Sequence, residues 1–270
     1  MSISILSIGF FILLILSLGS FTAAFSARWP IKTHYLWRKE AHQCLDLPFT
    51  EEKPNSLSKT RSHCMHCHHP LSWKELIPIF SFIALMGRCR HCKKRISFQY
   101  VFIEGAHFLC CMPLIWLIDD ISQRIAHIII LSALISAATI DIKYKLLPDE
   151  CSLITASVAL LVSIDTNTTS EHIIAMIIGF FLITSLRWFF LVTRNIEAIG
   201  LGDAKLVAAL GAWLGITALP TLLLYASVSG LFYSLAHKKT VQRKVAFGPF
   251  LIFSAILVFY SSLWKEHPLL

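Results

Sequence analysis

Residues 172–192, HIIAMIIGFFLITSLRWFFLV, form a run of 21 residues in which only Arg187 carries a fixed charge. As an α-helix rising about 1.5 Å per residue, such a run reaches about 30 Å, the thickness of the hydrocarbon core of a bilayer. The whole chain has a similar composition, because 56% of its 270 residues are hydrophobic and 15% are charged. A soluble globule needs more polar residues to cover its surface. The sequence therefore predicts a membrane protein.

Other apolar stretches of comparable length occur along the chain, and they predict an all-α polytopic protein of about eight transmembrane helices. These stretches lie at residues 3–27, 100–118, 125–141, 149–165, 172–192, 204–218, 220–236 and 246–264. No Lys or Arg precedes the first stretch, and it is longer than the apolar core of a secretion signal. We therefore expect the first helix to remain as an anchor.

The distribution of basic residues predicts the orientation, because Lys and Arg concentrate on the cytoplasmic side of membrane proteins. With the N-terminus outside, 22 of the 24 Lys and Arg residues fall in the four inner segments, at 28–99, 142–148, 187–205 and 237–244. The pattern predicts a first helix at 1–27, a cytoplasmic domain at 28–99 and a transmembrane domain at 100–270. The net charge of +8 then indicates contact with anionic lipid head groups rather than with nucleic acid.

Two aspartates lie at the inner ends of predicted helices. Asp141 follows an apolar run in AATIDIKYKLLPDE, and Asp203 lies in GLGDAKL, where Gly200 and Gly202 allow close approach of another backbone. An ordinary helix-end charge remains an alternative reading of Asp141. Two carboxylates brought together in a partly dry site do not both ionise easily. They could then divide the acid and base roles that hydrolysis of a peptide bond requires.

Two residues near these aspartates carry further charge. Lys205 could bias which carboxylate of the pair is ionised, although the sequence does not decide this. Asp149 follows Pro148, and we expect it to act as an N-cap of the next helix, since Asp accepts hydrogen bonds from free N–H groups there.

Two Cys-x-x-Cys pairs lie in the cytoplasmic segment. HCMHC at 63–67 and RCRHC at 88–92 contain Cys64, Cys67, Cys89 and Cys92, with 21 residues between the pairs. Four thiolates in this arrangement are typical of structural zinc, and the reducing cytoplasm disfavours disulfides. Four protein ligands leave no coordination position for water, so we expect zinc to hold the loop together without taking part in catalysis.

The chain resembles a known family at these residues. IDIKYKLLPD at 140–149 and NIEAIGLGDAKLVAALGAWLG at 195–215 are similar to the two active-site motifs of the type IV prepilin peptidases, membrane aspartyl proteases of the Gly-x-Gly-Asp class. The cysteine segment at 61–104 and AFGPFL at 246–251 are also similar to that family. The resemblance implies that Asp141 and Asp203 are the catalytic pair. The implied substrates are type IV prepilins or related pseudopilins of pili and type II secretion systems.

The resemblance also implies a second activity. Many members of the family methylate the new N-terminal residue after cleavage, with S-adenosylmethionine as the methyl donor. A Rossmann glycine motif is not found in the sequence, so methylation and S-adenosylmethionine rest on the resemblance alone. Glu104 and His107 lie on one face of a predicted helix. Glu104 could act in this step, or it could lie at the membrane interface and pair with Lys94 or Arg95.

Three other functions remain open. The protein could be a peptidase without methylation, or an ion- or proton-coupled transporter with Asp141 and Asp203 near the bilayer midplane. The helix-end positions of both aspartates argue against a transporter. A thiol oxidoreductase built on the cysteine pairs is a third possibility. With the resemblance, the pattern predicts a leader peptidase of the bacterial inner membrane with its active site facing the cytoplasm.

Overall fold

The computed structural model of this chain is helical. It describes residues 5–52, 64, 66, 67, 69–72, 75, 80–165, 167–197, 199–236 and 245–266. An isolated antiparallel bridge pairs Arg88 with Arg95. The helices are α1 Ile5–Cys44, α2 Phe80–Ala84, α3 Phe98–Cys111, α4 Leu114–Leu117, α5 Ile121–Tyr144, α6 Asp149–Asp165, α7 Thr169–Arg194, α8 Leu201–Leu214, α9 Leu219–Ala236 and α10 Gly248–Glu266.

Six helical segments in the described ranges are long and apolar enough to cross a membrane. They are Ile5–Cys44, Phe98–Leu117, Ile121–Tyr144, Thr169–Arg194, Ile216–Ala236 and Gly248–Lys265. This confirms the predicted all-α polytopic class. The two further predicted spans, 149–165 and 204–218, correspond to α6 with 17 residues and α8 with 14 residues. A helix as short as α8 reaches about 21 Å, which is less than the hydrocarbon thickness.

Helix α8 is short because its sequence ends it early. Gly215 follows Leu214 with φ +78°, a backbone conformation that glycine adopts without strain, and its N–H donates to the carbonyl of Gly211 at 2.9 Å. Most of the helix is enclosed by protein, and Leu206 and Leu210 are fully buried. A helix covered in this way by its neighbours can be shorter than the bilayer is thick.

The chain divides into two compact units, Ser2–Met112 and Pro113–Leu270. In the first unit α1 packs against α3. A Cβ atom on Gly19 of α1 would lie 3.3 Å from Nδ1 of His107 in α3, so the glycine admits the imidazole ring. Helix α1 continues to Cys44, and the predicted boundary at residue 27 therefore falls inside a continuous helix.

In the second unit α8 packs against α6, α7 and α10, and α10 also packs against α5 and α9. Two glycines bring α7 and α8 together. A Cβ atom on Gly211 would lie 2.7 Å from the carbonyl oxygen of Ala175, and one on Gly179 would lie 3.1 Å from that of Val207. Small residues at such contacts let helix backbones approach closely. This packing holds α8 against α7.

Candidate active site and metal centre

Asp141 lies in the last turn of α5 and is 5% exposed. The helix ends three residues later, where Lys145 adopts the left-handed conformation with φ +59° and donates its N–H to the carbonyl oxygen of Asp141 at 3.0 Å. This C-cap stops the helix just beyond the aspartate. The carboxylate is therefore held on a rigid helix at the edge of the bundle.

Asp203 lies in the first turn of α8 and is half-buried. Its Oδ2 atom accepts a hydrogen bond from the backbone N–H of Gly200 at 3.2 Å. Gly200 has an extended backbone, with φ −72° and ψ 150°, and precedes the first residue of the helix. A carboxylate is favoured at this end of a helix because the first N–H groups have no partner within the helix.

The structure places both predicted aspartates at helix ends of the second unit, and their charges interact. Lys145 also interacts electrostatically with Asp141. When two carboxylates share a partly buried site, repulsion favours the state in which one of them keeps a proton. The predicted catalytic role of the pair stays a prediction, and its geometry is compatible with a division into acid and base.

The start of α10 also contacts Asp141, and this contact was not predicted from the sequence. Gly248, at the start of α10, donates its backbone N–H to the carboxylate of Asp141. A Cβ atom on Gly248 would lie 3.0 Å from Cδ2 of Leu147, and one on Gly202 would lie 3.2 Å from Cβ of Leu147. Leu147 thus lies between the first turns of α8 and α10. The similarity of residues 246–251 to a motif of the prepilin peptidases was the feature of the sequence that could have indicated a role for the start of α10.

Asp149 has a different partner from the one we expected. Helix α6 begins at Asp149 itself, and the carboxylate accepts a hydrogen bond from Nζ of Lys205 at 2.6 Å. The two side chains are 66% and 39% exposed, so the ion pair contributes less than about 1 kcal/mol. Lys205, which could have acted on the aspartate pair, is engaged with Asp149. The pair links the first turn of α8 to the first turn of α6.

The four predicted metal ligands also lie together. The sulfur atoms of Cys64, Cys67, Cys89 and Cys92 are all within 4.8 Å of one another. The distance from Cys64 Sγ to Cys92 Sγ is 3.8 Å, and that from Cys67 Sγ to Cys89 Sγ is 4.0 Å. Four thiolates at about 2.3 Å from one tetrahedral zinc ion would be about 3.8 Å apart. The arrangement fits zinc.

Local backbone geometry supports the cluster. The N–H of Cys89 donates to the carbonyl of Lys94 at 2.9 Å, and the N–H of Lys93, whose φ is +57°, donates to the carbonyl of Cys89 at 3.0 Å. Burial opposes the thiolate of Cys64, but backbone hydrogen bonds from Cys67 and His66, together with side-chain hydrogen bonds from Cys89 and Cys67, lower the pKa of Cys64 to about 7. A thiolate is the form that binds metal.

Histidines surround these cysteines without joining the cluster of four sulfur ligands found in the described residues. The rings of His69 and His91 stack with centroids 3.5 Å apart. His69 also contacts the carbonyl of Pro70 through Nδ1 at 2.9 Å. His63 and His68 lie outside the described residues.

Glu104 and His107 lie on α3. His107 is fully buried, and its Nε2 atom lies 3.7 Å from Sγ of Cys111. Glu104 is half-buried. His107 therefore packs within its own unit, while the role of Glu104 stays open.

The fold and the two centres define a class: multi-pass helical membrane proteins that pair two carboxylates at helix ends and gather four thiols in an N-terminal unit. Residues 13–118 match the bacterial peptidase A24 N-terminal domain, and residues 128–235 match the type IV leader peptidase family. The chain belongs to the type IV leader peptidase family.

Curated relatives match nearly the full chain. The chain is 34% identical over 255 residues to a prepilin leader peptidase/N-methyltransferase of Burkholderia pseudomallei strain K96243. That alignment covers 91% of this chain and 82% of the relative. Identity to the Pseudomonas putida protein of the same name is 31% over 257 residues, covering 93% and 88% of the two chains. A type 4 prepilin-like proteins leader peptide-processing enzyme of Escherichia coli O78:H11 is 33% identical over 250 residues, covering 91% and 90%. No solved structure matches the chain.

Proposed function

We propose that this protein cleaves the leader peptide of type IV prepilins, with Asp141 and Asp203 as the catalytic pair. Family membership supports the activity. The observation that supports the site assignment is the interaction between the charges of the two carboxylates, which lie at the ends of different helices. The name of one relative of this chain supports prepilin-like leader peptides as the substrate class.

The pair can perform hydrolysis without a covalent intermediate. The ionised carboxylate takes a proton from a water molecule, and the oxygen of that water attacks the scissile carbonyl carbon. The protonated carboxyl group donates a hydrogen bond to the carbonyl oxygen and so polarises it. When the C–N bond breaks, the leaving nitrogen receives a proton from the carboxyl group that acquired it. Cleavage therefore needs one shared proton at the start of each cycle.

The proposed setting is the inner membrane, with the N-terminus outside and the aspartate pair at the cytoplasmic face. The concentration of Lys and Arg in the inner segments supports this orientation. In the bilayer, α6 and α8 would lie beside the six spanning helices, which gives eight membrane-embedded helices in total. A prepilin or pseudopilin would place its hydrophobic helix in the lipid beside the enzyme and its leader at the cytoplasmic face. Nucleic acid has no role in this proposal.

The zinc-binding domain of the proposal is the segment 28–99, which begins within α1 and precedes the transmembrane peptidase domain at 100–270. Cys64, Cys67, Cys89 and Cys92 would hold one structural zinc ion, as their sulfur spacing fits. When bound, zinc supplies cross-links between the two cysteine pairs. All four ligands come from the protein, so the peptidase chemistry is assigned to the aspartates alone.

Methyl transfer is the second proposed activity. The names of several relatives include N-methyltransferase, which supports S-adenosylmethionine as a co-substrate of this chain. A peptidase without methylation is the alternative, and the mass of the product distinguishes the two. Incubation of enzyme-containing membranes with a prepilin should yield the mature chain, with a further gain of about one methyl group only when S-adenosylmethionine is supplied.

A proton- or ion-coupled transporter is the competing function. Such a protein would hold its carboxylates near the bilayer midplane. Asp141 lies three residues before the end of the 24-residue helix α5, and Asp203 lies in the first turn of α8. These helix-end positions favour the peptidase.

The deciding experiment follows prepilin cleavage by mass spectrometry in membranes that contain the wild type, Asp141→Asn or Asp203→Asn. Both variants should lose cleavage. Asp119→Asn is the matched control, because Asp119 is exposed and precedes the other end of α5. Cleavage that survives in both variants, at the level of the control, would reject the two-aspartate mechanism.

A further inference from the structure

Gly248 is a buried residue at the point where α10 begins. The carbonyl of Phe247 accepts hydrogen bonds from the N–H groups of Phe250 and Leu251, at 3.1 and 3.2 Å. Pro249 has no N–H. The N–H of Gly248 belongs to the first turn, where helical donors lack partners within the helix, and it donates to the carboxylate of Asp141. The start of α10 is thereby connected to one member of the aspartate pair.

The space around Gly248 is too small for any side chain. A Cβ atom there would lie 2.6 Å from Oδ2 of Asp141, well inside van der Waals contact, and 3.0 Å from Cδ2 of Leu147. The leucine methyl can move because Leu147 is half-buried in a loop. Asp141 is 5% exposed and belongs to a helix, so its carboxylate has less freedom to move.

We propose that Gly248 is a positioning residue for the peptidase. Its N–H orients the Asp141 carboxylate toward Asp203, and the absence of a side chain at position 248 leaves room for that carboxylate. This inference rests on the proposed function, because Gly248 acts through Asp141. It extends the catalytic constellation to α10, so that helices α5, α8 and α10 each contribute a backbone or carboxylate group.

The first test is Gly248→Ala, with Gly230→Ala as the matched control. A Cβ atom on Gly230 of α9 would meet its nearest neighbours at 3.8 Å, which is ordinary contact. We expect Gly248→Ala to lower kcat for prepilin cleavage about 100-fold with KM changed less than about threefold, because a misplaced catalytic group mainly reduces the chemical step. Gly230→Ala should cleave at the wild-type rate.

A double variant separates crowding at Leu147 from displacement of Asp141. Leu147→Ala removes the contact at 3.0 Å but leaves the contact of the new methyl group with Asp141 at 2.6 Å. Measured against Leu147→Ala alone, the double variant should show the same loss in kcat as Gly248→Ala shows against the wild type. Recovery of that loss in the double variant would overturn the proposal in favour of simple crowding.

A second replacement removes the donor without adding bulk. Glycolic acid at position 248, introduced by cell-free synthesis into lipid nanodiscs, exchanges the N–H for an oxygen atom. The kcat for prepilin cleavage should then fall about tenfold with KM nearly unchanged, the size expected for loss of one hydrogen bond to a charged group. An unchanged kcat would overturn the positioning role, even if Gly248→Ala fails to fold.

The outcome for Gly248 is distinguishable from failure of the proposed function. If Asp141→Asn retains full cleavage, the aspartate mechanism itself is wrong. If Asp141→Asn abolishes cleavage while the Gly248 replacements leave kcat as in the wild type, the mechanism stands and the positioning role is wrong.

Discussion

The aspartate pair and the cysteine cluster are assembled in opposite ways. Each half of the cluster is a Cys-x-x-Cys turn whose local hydrogen bonds, such as that from the N–H of Cys89 to the carbonyl of Lys94, preset the position of its sulfur atoms. The aspartate site joins the ends of helices that are separate in sequence, so its geometry depends on packing throughout the second unit. The comparison shows that local hydrogen bonds can position the ligands of the metal centre. The two carboxylates, in contrast, are positioned only when the helices of the second unit have packed.

The largest expected effect is at the aspartate pair. Asp141→Asn and Asp203→Asn should each lower prepilin cleavage by about 10⁴-fold or more, and the double variant should be no worse than the poorer single variant, because residues that act as a unit are not additive. Single-turnover rates measured for the three variants test this. Losses that multiply in the double variant would show that the carboxylates act independently.

Substitutions in the cysteine cluster should change metal binding and folding of the first unit rather than the chemical step of cleavage. Cys67→Ser or Cys89→Ser should reduce bound zinc from about one ion per chain to a small fraction, because three thiolates hold zinc less firmly than four. Metal analysis and limited proteolysis of the purified protein measure this, with the exposed Cys44→Ser as control. Wild-type protein that binds no metal while all four thiols are reduced would contradict the zinc assignment.

Local patterns in the sequence predicted each centre's chemistry but not its surroundings. The spacing of the cysteines indicated four candidate metal ligands, and the resemblance to the two prepilin peptidase motifs implied the pair of Asp141 and Asp203. The contacts of Leu147 and Gly248 were not predictable, because they join residues that are about 100 positions apart. They depend on how α5, α8 and α10 pack, for which a single sequence contains no direct signal.

Two local patterns in the sequence did not lead to the structure that they predicted. Asp149 after Pro148 has the pattern of an N-cap, yet its carboxylate binds Lys205 from α8. The apolar run 204–218 has the composition of a span, yet Gly215 with φ +78° ends the helix at Leu214. In the first case a partner from another helix outweighed the local pattern, and in the second case a glycine within the run itself ended the helix.

An intermediate effect is expected where α7 and α8 touch. Gly211→Ala places a methyl group 2.7 Å from the carbonyl oxygen of Ala175, and such overpacking costs about 1–3 kcal/mol. Thermal unfolding in detergent should show a lower Tm for this variant. Gly105→Ala, with no atom within 4 Å of the added group, is the control and should not lower Tm. Equal Tm values for the two variants would show that the helices can separate at no cost.

The smallest effect is expected for the ion pair between Lys205 and Asp149. Both side chains are substantially exposed, so a double-mutant cycle with Lys205→Met and Asp149→Asn should give a coupling free energy below about 1 kcal/mol. Since Lys205 is engaged with Asp149, Lys205→Met should cleave prepilin with nearly the wild-type kcat, unlike the glycolic acid replacement at position 248. A loss of kcat in Lys205→Met as large as that in the glycolic acid replacement would show that the lysine also acts on the aspartate pair. Helix α8 would then contribute Lys205 to the aspartate site as well as Asp203.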